Sequence, residues 1–135
     1  MFIRYNWPGM VWILVILFLT LIPGNYIPRK ITFWEWIGPD KILHIAIFGI
    51  LSFMVIRGLK KQYRFPFLRY YSVSIAIIFG IILGLLTEVT QKFIFIGRNA
   101  NMFDLIANGL GCFAGWGAFC IINGNLKGKS KELKN

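Results

Sequence analysis

Long apolar runs alternate with short polar connections along this chain, and four of the runs are long enough to matter. The first is WPGMVWILVILFLTLIP, about 7–23, opened by a proline that suits the first turn of a helix. The second is KILHIAIFGILSFMVI, about 41–57 with its flanking arginine, and the third and fourth cover about 70–96 and 102–122. Within each run apolar residues occupy every face, so the pattern has neither the alternation of a strand nor the narrow stripe of a soluble helix. A membrane span needs about 20 residues, with a range of about 17–25. The first two runs are short by that measure and must borrow interfacial residues or sit in thinned bilayer, whereas the third is long enough to tilt. The pattern predicts an all-α membrane protein with four transmembrane helices in an antiparallel bundle.

The first run also has features of a secretory signal, a basic residue (Arg4) before an apolar core. No small-x-small cleavage site follows it, only LIPGNYIP. An uncleaved first helix is the expectation.

Composition agrees with the pattern. The 135 residues are 57% hydrophobic, above the share of roughly half found in soluble domains, and mean hydropathy is +0.65. The length allows one domain, expected over 1–126, followed by a basic tail over 127–135. A net charge of +10 would ordinarily raise nucleic acid as a partner. Here the basic residues lie between apolar runs and form no basic domain face, so no nucleic-acid partner is expected. Cys112 and Cys120 share one run; eight helical residues separate them by roughly 12 Å of rise, beyond the ~7 Å a disulfide tolerates. They read as small apolar packing residues.

Charge sets the orientation. Arg4, Arg57, Lys60, Lys61, Arg64, Arg69, Lys127, Lys129, Lys131 and Lys134 fall on one side of the four spans, ten of the fifteen basic residues. Lys and Arg accumulate on the cytoplasmic side, which predicts both termini in the cytoplasm of a multi-pass cell-membrane protein. The connections 24–40 and 97–101 then face outward. Phe33, Trp34 and Trp36 suit a segment lying at the membrane interface, which could cover a site or simply anchor the chain.

The polar residues within the spans gather at the outer end. Asp40, Lys41 and His44 open the second run; Glu88 and Gln91 lie late in the third, with Arg98 just beyond; Asp104 and Asn108 open the fourth. Residues three and four apart share a helix face, so Asp40 aligns with His44, Glu88 with Gln91 and Asp104 with Asn108. Lipid is the worst surroundings for such stripes, and a carboxylate like Glu88 at mid-membrane costs about 2.5–3.5 kcal/mol on insertion scales. Pointing the three stripes at one another predicts a polar pocket open to the outside. The pairs Gly80/Gly84 and Gly111/Gly115 have the small-xxx-small spacing of close helix contacts. With the short GRNAN connection, they predict close antiparallel packing of the third and fourth spans. Spans two and four both begin Asp-x-x-x-His/Asn, a faint internal echo.

These elements resemble the VanZ-like family of small integral membrane proteins. The matching residues are Asp40, Lys41, His44 and Phe48 in DKILHIAIF, Glu88 and Gln91 in EVTQ, then Arg98, then Asp104, Asn108 and Gly111 in DLIANGLG. They occur in the family's order and cover about 40–115. One departure is that KFIFIG before Arg98 lacks the family's proline. The family is named for a protein of a glycopeptide-resistance cluster linked to teicoplanin resistance. The resemblance implies a membrane protein acting at the cell envelope and supplies no reaction.

Three roles fit the polar residues. In a catalytic site, Glu88 would be general acid or base and His44 its partner. Lys41 and Arg98 would then hold a phosphate or carboxylate, and Asp40, Gln91, Asp104 and Asn108 would bind and orient. In a recognition site the same residues would bind or shield an anionic envelope lipid or wall precursor without chemistry. In a scaffold, Asp40 would cap the second helix, Asn101 and Asp104 would cap the fourth, and His44 and Asn108 would bond across helices. Whether the protein is an enzyme stays open. No cofactor is named by the sequence. Asp40, His44, Glu88 and Asp104 offer donors to a hard divalent cation, but one histidine and cysteines in an apolar run argue against structural zinc, and no metal ligand is assigned.

Overall fold

A computed structural model describes residues 2–20, 39–94 and 102–132. They form α1 (Phe2–Thr20), α2 (Pro39–Lys60), the short α3 (Pro66–Tyr70), α4 (Ser72–Ile94) and α5 (Met102–Glu132). Four of these, all but α3, are long and apolar enough to cross a membrane. The interfacial segment around Phe33, Trp34 and Trp36, and the 97–101 connection, lie outside the described residues.

The helix ends differ from the sequence expectation in three places. α1 begins at Phe2, so Pro8 lies inside the helix and does not open it. The Asn6 amide, within the same helix, donates to Phe2 O at 3.0 Å, and Gln62 Nε2, from beyond α2, donates to the same carbonyl at 3.4 Å. α2 begins at Pro39, which as a first-turn proline loses no helical donor, so Asp40 sits within the first turn and not before it. α5 runs on to Glu132, carrying the helix into the basic segment beyond its apolar span.

Packing follows the small and buried positions. On α4 the buried residues are Ser72, Ala76, Gly80, Leu83, Gly84, Thr87, Glu88 and Gln91, a stripe at spacings of three and four that faces the bundle. Ile78, Ile82, Leu85 and Leu86 point the other way, as lipid-facing residues do. α5 has a matching inward stripe of Asp104, Ala107, Asn108, Gly111, Cys112 and Gly115.

The glycines divide between two neighbours. Gly80 lies against Cys112 and Gly84 against Asn108, so α4 and α5 pack antiparallel as expected. Gly111 and Gly115, expected to serve that same contact, face α2 instead. A methyl added to Gly111 would stand 2.5 Å from Ile45 O, and one added to Gly115 would collide with Gly49 O. The partner on α2 advances with position on α5 (His44 with Asn108, Gly49 with Gly115, Phe53 with Phe119), so these two helices run parallel. They make the most extensive contact in the bundle. Backbone meets backbone where Gly49 faces Gly111 and Gly115, because none of the three carries a Cβ.

α1 completes the core antiparallel to α2, with Gly9 against Val55 and Ile16 buried beside Phe48, Leu51, Leu83 and Cys112. The Trp12 indole N–H donates to Ile47 O at 2.9 Å. Trp12→Phe keeps the ring body and removes this bond, and is expected to lower unfolding free energy in detergent by about 0.5–1 kcal/mol with helicity unchanged. Cys112 is buried and unpaired with Cys120, which is exposed and so contributes no internal packing.

Candidate functional site at one end of the bundle

The site is built where α2 and α5 begin and α4 ends. The antiparallel register that sets Gly80 against Cys112 and Gly84 against Asn108 brings Glu88, one turn further, to the level of Asp104. Both carboxylates are buried, Glu88 at 7% exposure and Asp104 at 5%, and each makes a polar or electrostatic contact. Gln91, the next residue on the α4 stripe, is buried as well. Three polar side chains are thus held inside the bundle by the same spacing that buries Leu83 and Ala107.

Asn108 is fully buried, and its Oδ1 lies 2.9 Å from His44 Nδ1 across the parallel α2–α5 contact. Asn108 Oδ1 can only accept, so the His44 Nδ1–H donates in this bond. The Asn108 Nδ2 is buried with no hydrogen-bond partner among the described residues. It packs over Gly84, where a Cβ would come within 2.8 Å of it. Asn108 therefore touches both neighbours of α5 at once.

Lys41 is half-buried, its ammonium 5.9 Å from the centre of the Phe103 ring, at the limit of a cation–π contact. Asp104 occupies the first turn of α5, where the helix dipole favours a negative charge. The backbone of Asp40 places it in the first turn of α2 at the same end, and its side chain is outside the described set. Arg98 and Asn101, with its capping role, also lie outside the described residues.

Two contributors escaped the sequence pattern. Thr87 is buried and its hydroxyl donates to Gly84 O at 2.8 Å, which lets a polar residue sit on the inward stripe at no cost in unmet bonds. Its place three residues after Gly84 and four before Gln91 was the available signal. Phe103 gave no signal, because a single aromatic residue near an interface is ordinary. Among the described residues no group of three or more His, Cys, Asp or Glu is arranged to hold a metal ion.

The order of these polar residues on four apolar helices can be set against known proteins. The family model described as VanZ/LLP1 matches residues 3–123, nearly the whole chain. The protein belongs to the VanZ/LLP1 family. It is a VanZ-family membrane protein, and the match takes in α1 and all of the polar end. No curated protein and no solved structure matches the chain.

Proposed function

We propose that this VanZ-family protein spans the cell membrane with both termini in the cytoplasm and that its outward polar end recognises an anionic envelope lipid or a wall precursor. Through that recognition it would contribute to glycopeptide resistance of the teicoplanin type. The observation that carries the reading is the burial of Glu88, Gln91 and Asp104 together at the end of apolar helices. Ionisable groups kept at such a position are expensive and mark function more often than packing. The His44–Asn108 pair has the geometry of an interhelical tie and is assigned to holding α2 against α5. Orientation rests on the ten basic residues clustered on the other side of the spans.

The test uses purified protein in nanodiscs with a lipid-linked wall precursor, binding being read from tryptophan fluorescence. Wild type is expected to bind, and Glu88→Gln to bind at least about tenfold more weakly, the loss of one charge-assisted hydrogen bond. Expression of wild type, but not of the variant, should raise the teicoplanin concentration that a susceptible host survives. Equal binding by both proteins, or none by wild type, would sink the reading. A catalytic alternative is favoured by two buried carboxylates at one level, with the histidine bound to Asn108 one turn along α5, and product formed from the precursor in the same assay would establish it.

A further inference from the structure

The opposite end of the bundle holds a second feature that the polar cluster does not use. The start of α1 crosses the end of α2 so closely that Gly58 meets Tyr5 O and the Asn6 side chain. Beside that crossing is a cleft of about 280 Å³, lined by Arg4, Trp7, Phe53, Arg57 and Lys61 among others. Arg4, Arg57 and Lys61 are exposed, and the buried carboxylates Glu88 and Asp104 both lie at the far end of the bundle. Three cations thus line one cleft, and no carboxylate is among the described residues that line it. Trp7 and Phe53 add aromatic surface to its lining, and Trp7 is 57% exposed.

Topology-setting charge explains why basic residues lie at this end. It does not explain why residues from two different helices line one cleft together with a tryptophan and a phenylalanine. A neighbouring cleft bordered by Lys60, Tyr63 and Arg69 is different, since the Arg69 guanidinium already stacks on Tyr63 at 4.7 Å. The α1 N-terminus also opens at this end, adding the positive end of a 19-residue helix.

We infer that the cleft between α1 and α2 binds the phosphodiester head group of an anionic glycerophospholipid, with Arg4, Arg57 and Lys61 on the phosphate and Trp7 and Phe53 against the glycerol and upper acyl chain. Arginine suits this role because its planar fork matches phosphate oxygens two at a time. Tryptophan suits the level at which a head group meets hydrocarbon. The assignment is independent of what the polar end binds.

Native mass spectrometry of the full chain in detergent, with phosphatidylglycerol or phosphatidylcholine added, tests it. Wild type is expected to retain one phosphatidylglycerol and no phosphatidylcholine. Each cation facing an anionic head group strengthens binding about fivefold, so Arg4→Gln/Arg57→Gln should weaken retention about thirtyfold. The pair Arg4→Lys/Arg57→Lys should recover most of it, and Arg69→Gln should match wild type. If the double variant does not fold, as judged by its melting temperature in phosphatidylcholine, Arg57→Gln alone carries the test with a fivefold loss. Undiminished retention by the variants, an equal loss in Arg69→Gln, or retention of phosphatidylcholine would overturn the assignment. Glycerol phosphate binding as tightly as the lipid would overturn it in favour of a soluble anion.

Discussion

Gly115→Ala is expected to destabilise the protein by about 3 kcal/mol, the upper end of what overpacking normally costs. The added methyl would collide with Gly49 O and stand 3.0 Å from both Gly49 C and the Ser52 Cβ. Two of those three atoms are backbone, so no side chain can rotate away, and the whole of α2 must move off α5. That movement would also stretch the His44–Asn108 bond one turn and more away, since both contacts belong to the same parallel seam. Gly117, two residues on, is the matched control: a methyl there meets nothing within 4 Å. Gly117→Ala should leave stability unchanged or raise it by up to ~1 kcal/mol through helix propensity. Unfolding free energies in mixed detergent would measure both, and similar values for the two variants would refute the seam.

That seam also shows where the sequence stops being informative. Four apolar runs identify four long helices because membrane spans need length and apolarity alone, and both are visible without knowing any neighbour. The pairing of the helices is not visible in that way. Gly111 and Gly115 announce a close contact but carry no address, and the short connection 97–101 points them towards α4. The address lies on α2, where Gly49 has no small residue four positions away and so shows no motif, only Ser52 three positions on. The echo between Asp-x-x-x-His and Asp-x-x-x-Asn is the better clue, because the two segments do pair side by side in parallel. At the site, shared helix faces pair Glu88 with Gln91 and Asp104 with Asn108 from spacing alone, since a period of 3.6 requires no knowledge of the neighbouring helix. The division of labour among them is not readable in the same way, because it depends on which residue lands on which seam. Asn108 faces α2 through His44 and α4 through Gly84, whereas Glu88 sits a turn nearer the end. The cationic cleft is hidden for another reason: Arg4 and Arg57 are far apart in the chain, and each is accounted for separately by topology.

Glu88→Gln and Asn108→Ala should therefore move stability in opposite directions. Glutamine keeps the shape of glutamate and much of its hydrogen-bonding capacity while removing one of two buried ionisable carboxyl groups at the level of Asp104. Its melting temperature is expected to hold or rise, while precursor binding falls. Asn108→Ala removes the acceptor from His44 and empties a fully buried position beneath Gly84. It should lose about 1–3 kcal/mol, the range for leaving a buried polar partner unmet, with part of the binding retained in whatever fraction stays folded. A residue kept for function is tolerated at a cost to stability, and a residue kept for structure is not. Measured side by side in one detergent, the two variants separate those roles within a single polar cluster. A large fall in melting temperature for Glu88→Gln would make Glu88 part of the same scaffold as Asn108. The function would then have to be sought in Gln91, Asp104 and the connections 24–38 and 97–101.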